Sequence, residues 1–250
     1  MVTIAALGAV AIVCWMLLLR SSAVMTAMTG DGLLLDLAQA MMRPTATAPY
    51  LTASALMWIV MMSAMMTPAV LPVVALFQRL DRGRDGSDAR LDGALFATAY
   101  LLVWVVFGLV ATLLQWGLHR AALLHTHILS AGPVLTACIL LAAGVYQLTP
   151  LKAACLRHCQ TPLAFLLGHW RDGPHGPFVM GVHHGSYCLG CCWALMLLMF
   201  VGGVMSIAAM AVLSLFVLGE RLLPAGPWIA KGPGLALIGW GAWTLARAYG

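Results

Sequence analysis

Charged residues are scarce in this chain. They make up 8% of the 250 residues, against about 25% in an ordinary soluble domain. Hydrophobic residues account for 62% of the chain, and the mean hydropathy is +0.96. This composition argues against a soluble globular protein.

Several functional motifs are also lacking. There is no glycine-rich phosphate-binding loop, so the sequence gives no support to ATP-driven transport. No acidic residue lies inside an apolar segment of spanning length, which argues against a proton relay or a cation transporter built on buried carboxylates. The net charge is +5, but the basic residues are not interleaved with stacking aromatics, so nucleic acid is not an expected partner.

Long apolar segments dominate what is present. A spanning helix needs about 20 mostly apolar residues, because the hydrocarbon core is about 30 Å thick. Seven segments approach that length: 2–19, 51–77, 94–118, 128–148, 178–200, 204–219 and 228–246. We therefore predict an all-α, polytopic transmembrane helix bundle forming a single domain over residues 1–250. The lipid bilayer is its first expected partner.

The count of seven depends on one turn. The chain stays apolar from 178 to 219, and a single helix of about 42 residues would reach about 63 Å, twice the thickness of the bilayer core. The segment must fold back, and Gly202-Gly203 is the natural break. Without this turn the prediction falls to six spans.

The distribution of Lys and Arg predicts the orientation, because cytoplasmic loops hold the positive excess. One side collects most of the basic residues: Arg79, Arg82, Arg84, Arg90, Lys152, Arg157, Arg171 and Arg221. We expect a bacterial cytoplasmic (inner) membrane protein with its N-terminus inside and its C-terminus outside. Glu220 and Arg221 are interpreted as an exposed pair at a helix end. His119, His125 and His127 are expected in a solvated external loop.

The most unusual motif is Gly181-Val-His-His-Gly-Ser-Tyr-Cys-Leu-Gly-Cys-Cys-Trp193. His184, Cys188, Cys191 and Cys192 are spaced three and four apart, so a helix places them on one face. Thiolate and thioether ligands favour Cu(I), whereas Cys with His also suits zinc. We predict a metal site here, with copper preferred over zinc or another transition metal.

A second motif is rich in methionine. The segment 57–68 contains two neighbouring rows of thioethers and ends at a proline, which predicts one broad face and a kink. Under the predicted topology this face lies at the same membrane depth as the cysteines. Met62, Met65 or Met66 would then complete the metal site.

A third motif is Cys155-Leu-Arg-His-Cys159 in the segment between two predicted spans. Cys155, His158 and Cys159 share one helical face and form a possible second metal site. The alternative is a pair of unpaired thiols on a reducing cytosolic surface. The sequence leaves open whether these cysteines join the first cluster.

Together these motifs resemble a family of uncharacterised bacterial and archaeal proteins described as predicted metal-binding integral membrane proteins. The resemblance rests on Met61-Met-Ser-Ala-Met-Met-Thr-Pro68, on the segment 146–159 with its Thr-Pro-Leu-Lys and Cys-Leu-Arg-His-Cys, and on His184-Gly-Ser-Tyr-Cys-Leu-Gly-Cys-Cys-Trp-Ala-Leu-Met196. It covers residues 50–224. It implies metal binding without identifying the metal.

Three functions remain open. The first is a membrane protein that holds or delivers copper at an intramembrane Cys/His/Met site, with a metal chaperone or other membrane subunits as partners. The second is a thiol-disulfide oxidoreductase that uses Cys188 and Cys191, a Cys-x-x-Cys at a helix start. The third is a subunit of a membrane copper enzyme complex, or a structural subunit, for which the 25 glycines would suit close helix packing. The sequence does not decide whether the chain is an enzyme.

Overall fold

The structure is a computed structural model that describes residues 2–27, 32–43, 47–81, 88–125, 129–223 and 227–249. Its elements in these ranges are helices, apart from one short antiparallel hairpin, and the predicted all-α class is confirmed. The elements are α1 (Val2–Ala27), α2 (Leu33–Met41), α3 (Thr47–Asp81), α4 (Ala89–Arg120), β1 (Leu124–His125), β2 (Ser130–Ala131), α5 (Pro133–Gln147), α6 (Pro150–Gln160), α7 (Pro162–Gly168), α8 (Gly176–Met196), α9 (Met199–Gly202), α10 (Ile207–Leu222) and α11 (Pro227–Tyr249).

Within the described ranges, four helical segments are long and apolar enough to cross a membrane: Val2–Val24, Thr47–Asp81, Ala89–Arg120 and Gly176–Gly202. A fifth is possible if α5 and α6, which meet at a 65° bend, count as one broken span. This is fewer than the seven spans that hydropathy predicts. Helix α10 has only 16 residues, so it is about 24 Å long, shorter than the hydrocarbon core. A bundle of seven spans stays a prediction.

The predicted break at Gly202-Gly203 is confirmed. Helix α9 ends at Gly202, and Gly203 follows with a φ of +87°, a conformation that glycine adopts without steric cost. The side chain of Ser206 then accepts a hydrogen bond from the backbone N–H of Ala209 and caps α10. The apolar run after residue 178 therefore forms separate helices.

Helix α3 continues through Pro68 and Pro72 to Asp81. A proline inside a helix leaves the carbonyl four residues earlier without its usual donor. For Pro68 this is the carbonyl of Ala64, and the indole N–H of Trp15 on α1 donates to it at 3.2 Å. The proline thus creates an acceptor that joins α1 to α3.

Helix α4 packs against both α3 and α8 and so links the two helices that carry the Met and Cys motifs. A close approach between α4 and α8 depends on Gly181, because a Cβ there would collide with the backbone carbonyl of Phe96 and lie 2.8 Å from the Cβ of Ala99. The rings of Phe77 and Phe96 stack nearby at 5.2 Å. The helices that frame the site are therefore in direct contact.

The far end of α4 is held by buried polar contacts. The side chain of Gln115 accepts from the indole of Trp58 at 2.8 Å and donates to the hydroxyl of Tyr50 at 3.1 Å. His119 Nδ1 lies 3.2 Å from the same hydroxyl. The expectation that His119 is solvated is wrong, because its ring is buried against Tyr50. The side chains of His125 and His127 lie outside the described part of the chain.

Candidate metal centre

The three cysteines of α8 lie on its buried face. The Sγ atoms of Cys191 and Cys192 both donate to the backbone carbonyl of Cys188, at 3.1 and 3.0 Å. This pattern follows from the helix itself, because residues three and four positions later lie above the same carbonyl. The thiols of one helical turn are thus gathered at one place in the core.

A guanidinium group points into these thiols. Arg221 Nη2, from the last turn of α10, lies 2.5 Å from Cys188 Sγ, 3.8 Å from Cys191 Sγ and 3.9 Å from Cys192 Sγ. The residue is 7% exposed. Its Nε and Nη1 atoms have no hydrogen-bond partner among the described residues. Three sulfur atoms therefore surround a single buried cationic nitrogen.

Tyr100 of α4 completes this arrangement. Its hydroxyl lies 2.9 Å from Cys188 Sγ and donates to the backbone carbonyl of Met66 at 3.3 Å. Cys188 Sγ is thus shared by this hydroxyl and by Arg221 Nη2. Tyr100 therefore connects the cysteine helix to the methionine face of α3.

The Cys155, His158 and Cys159 motif divides between two environments. Cys159 is buried, and its thiol lies close enough to Cys191, Cys188 and Arg221 to interact with them electrostatically, so it joins the cluster of α8. Cys155 is half-buried at the edge of the cluster, close to Gly190, where an added Cβ would lie 2.8 Å from its sulfur. The ring of His158 turns away and stacks on Tyr187 at 4.1 Å. The three side chains thus do not converge on a common point in this structure.

A buried ion pair lies beside the cluster. Lys152 Nζ of α6 lies 2.8 Å from both carboxylate oxygens of Glu220. Gln147 donates to Glu220 and accepts from Lys152, and Gln160 donates to the backbone carbonyl of Glu220 at 2.7 Å. Glu220 is buried in this network. The expected exposed pair of Glu220 with Arg221 is wrong, since the two neighbours have different buried partners.

Lys152 and Arg221 also correct the charge pattern used for orientation. Both were counted as loop charges on the basic side, and both are buried inside the protein. Four other residues assigned to the same side are exposed, namely Arg79, Arg90, Arg157 and Arg171. The orientation derived from the basic residues stays a prediction.

His184 lies one turn before Cys188 and is buried among aromatic rings. The ring centroids of Phe165, Tyr100 and Phe96 lie 5.1, 5.8 and 6.0 Å away. Its Nδ1 atom has no hydrogen-bond partner among the described residues. A buried polar atom without a partner is costly, so His184 retains an unused ligand atom beside the cluster.

The methionines of α3 are buried as their pattern predicts. Met62 and Met66 are fully buried, and Met65 nearly so. Met66 approaches the cluster through its carbonyl and Tyr100. Met65 instead lines a cavity of about 280 Å³ together with Trp15 of α1 and Ser214 of α10. The structure therefore links the backbone of Met66 to Cys188 through Tyr100 and places Met65 against α1 and α10.

As placed, the described side chains include no group of three or more His, Cys, Asp or Glu arranged to hold a metal ion. What they do include is a buried cluster of soft donors around a cation. Sulfur donors of this kind select Cu(I), zinc or iron–sulfur centres over hard cations such as Mg²⁺ or Ca²⁺. A soft metal is therefore the kind of ion that these donors would favour.

The chain belongs to the PpoB2 copper chaperone family, whose pattern it matches over residues 55–244. That match includes α4, α8 and α10 and all of the residues around Arg221 described above. The metal handled by the family is copper, which agrees with the soft donors of the cluster. Neither the curated proteins nor the solved structures contain a significant match to the chain.

Proposed function

We propose that this protein is an integral membrane chaperone that holds Cu(I) at the cluster of Cys159, Cys188, Cys191 and Cys192 and delivers it to a partner. The observation that carries the proposal is the convergence of three thiols on the buried Arg221 nitrogen. Thiolates are the protein ligands that prefer Cu(I), and copper is the metal of the family. The ion is the cargo of the protein.

The charge of the site supports a monovalent ion. A buried guanidinium is strongly unfavourable unless a negative group accompanies it. Glu220 is already paired with Lys152, and the sulfurs and Tyr100 are the groups that contact Arg221. Two thiolates and one Cu(I) carry a net charge of −1, which the guanidinium neutralises. Arg221 is therefore the counter-charge of the loaded site.

The remaining ligands of the proposed Cu(I) site are assigned from their positions in the structure. His184 supplies a nitrogen beside Cys188, and Met62, Met65 or Met66 supply weaker thioether donors on α3. Such labile donors suit a protein that must release its cargo, because ligand exchange needs a bond that is easily replaced. Met66 is the preferred thioether, because its carbonyl already shares Tyr100 with Cys188.

Four apolar helices of spanning length support a position in the membrane, since exposed apolar surface of that length is buried by lipid. We assign the chain to a bacterial cytoplasmic membrane with the basic ends of α3 and α6 inside. The delivery partner is a soluble copper acceptor or another membrane subunit that approaches the protein from outside the bilayer.

The first test is the copper content of the full chain, purified in detergent without chelators and titrated with Cu(I) in the absence of oxygen. Wild-type protein is expected to retain copper with sulfur ligands in X-ray absorption spectra. Replacement of Cys188, Cys191 and Cys192 by Ser should remove this sulfur-bound copper. The matched control is Cys138→Ser, because Cys138 is exposed and lies on α5 away from the cluster. Sulfur-bound copper that remains in the triple variant, or is lost in the control, would contradict the proposal.

A thiol-disulfide oxidoreductase is the second candidate. The proximity of Cys159 on α6 to Cys191 on α8 favours it, because two free thiols on neighbouring helices can exchange a disulfide with a partner. Mixed disulfides trapped by Cys159→Ser, together with wild-type protein that binds no copper, would establish this function instead. Bound copper with all four thiols reduced would exclude it.

A further inference from the structure

A group of histidines next to the cysteine cluster is less buried than the cysteines. His158 of α6, His169 after α7 and His183 of α8 are half-buried. The ring centroids of His158 and His169 are 6.0 Å apart, and those of His169 and His183 are 6.1 Å apart. Three separate elements therefore bring imidazoles together, although they are far apart in the sequence.

Two of these rings have a defined tautomer. His158 Nδ1 lies 2.9 Å from the carbonyl oxygen of Ala154, and His169 Nδ1 lies 3.2 Å from that of Phe165. A carbonyl oxygen only accepts, so Nδ1 carries the proton in each neutral ring and Nε2 carries the free lone pair. Metal-binding histidines are held in this way, with the other ring nitrogen donating to a backbone carbonyl.

Aromatic packing fixes the same rings in place. His158 stacks on Tyr187 with an angle of 3° between the planes. His169 stacks on Phe165 at 4.9 Å. Side chains that packing already holds in one conformation lose little further conformational entropy when they bind an ion. The arrangement thus has both the donor atoms and the preorganisation of a binding site.

The group is adjacent to the cysteine cluster in the chain. His158 precedes Cys159, and Tyr187 precedes Cys188. The cysteines are buried, whereas the histidines are only half-buried. An ion that moves between the surface and the thiols can therefore pass the imidazoles first.

We infer that His158 and His169, assisted by His183, form a second Cu(I) site through which copper is loaded into the cysteine cluster. This inference rests on the proposed function. The two Nε2 atoms bind the ion, and His183 approaches it by a side-chain rotation. During transfer the Cu–N bonds are replaced by Cu–S bonds and the ion stays Cu(I). Imidazole is a suitable ligand for copper.

The test uses the full chain with Cys159, Cys188, Cys191 and Cys192 all replaced by Ser. We expect it to retain Cu(I) with nitrogen ligands in X-ray absorption spectra. His158→Ala or His169→Ala in this background should abolish that binding, because each removes one of the two Nε2 ligands. His175→Ala is the matched control, because His175 is an exposed histidine of the same region.

A second measurement uses the wild-type cysteines, in case the four-Ser variant does not fold. Transfer of Cu(I) from a coloured chelator into the sulfur site should slow by about tenfold or more in His169→Ala, with the final amount of sulfur-bound copper unchanged. Unchanged rates in His158→Ala and His169→Ala would overturn the inference. Nitrogen-bound copper in a protein that never acquires sulfur-bound copper would instead refute the proposed function and leave the histidine site standing.

Discussion

Removal of the Arg221 charge is the sharpest test of how the site holds its ion. Arg221→Met keeps a long apolar side chain but deletes the guanidinium that lies within 2.5 to 3.9 Å of three sulfur atoms. If the loaded site contains two thiolates and one Cu(I), this guanidinium is its counter-charge. We expect Arg221→Met to bind Cu(I) more weakly than the wild type.

The magnitude follows from Coulomb's law. Two opposite unit charges about 4 Å apart attract each other by about 4 kcal/mol at an effective dielectric constant of about 20. Each ~1.4 kcal/mol corresponds to a factor of ten in affinity. The expected loss is therefore between about tenfold and about a thousandfold, with the upper figure reached if the thiols are neutral in the empty protein.

The assay is competition for Cu(I) between the purified protein and a chromophoric chelator at fixed pH. Arg221→Lys should retain part of the affinity, because it keeps the charge but not the guanidinium geometry. Arg157→Met is the control for a basic residue that is exposed on α6. Equal or higher affinity in Arg221→Met would refute the reasoning and identify the guanidinium as a placeholder that copper displaces.

Three further predictions concern the frame of the site. Cys159→Ser should lower the affinity for Cu(I) in the same competition assay, because it removes a thiol that contacts the cluster from another helix. Gly181→Ala should destabilise the protein by about 1–3 kcal/mol or more in thermal unfolding, because overpacking separates α4 and α8, whereas Gly168→Ala, with open space around it, should have little effect. Lys152→Met should cost about 3–5 kcal/mol by leaving Glu220 buried without its partner, and Glu220→Gln in the same protein should restore much of the loss.

The sequence predicts those features of the site that depend on one helix alone. The spacing of Cys188, Cys191 and Cys192 places three thiols on one face whatever surrounds the helix. The methionine rows of α3 are buried for the same reason. The turn at Gly203 was also predictable, because an apolar run of that length must break somewhere and glycine permits the required φ.

The features of the site that the sequence could not predict depend on contacts between different helices. Arg221 follows an apolar segment, and a charge at that position is usually solvated, so only the packing of α10 against α8 reveals its partners. The spacing in the sequence also predicts that Cys159 and His158 act at one site. In the structure Cys159 lies next to Cys191, whereas His158 stacks on Tyr187. One available signal was overlooked: a Lys, a Glu and an Arg near the ends of apolar helices can neutralise one another or a cluster.

The balance of charge around the cluster argues for copper over zinc. Among the described residues, Lys152 and Glu220 cancel each other, so Arg221 supplies a single positive charge to the thiols. Cu(I) with two thiolates has a net charge of −1 and is neutralised completely. Zn²⁺ with four thiolates has a net charge of −2 and would leave one negative charge buried, which is costly in an apolar interior. A single guanidinium beside four thiols would therefore balance the charge of a monovalent cargo completely and that of a divalent one only in part.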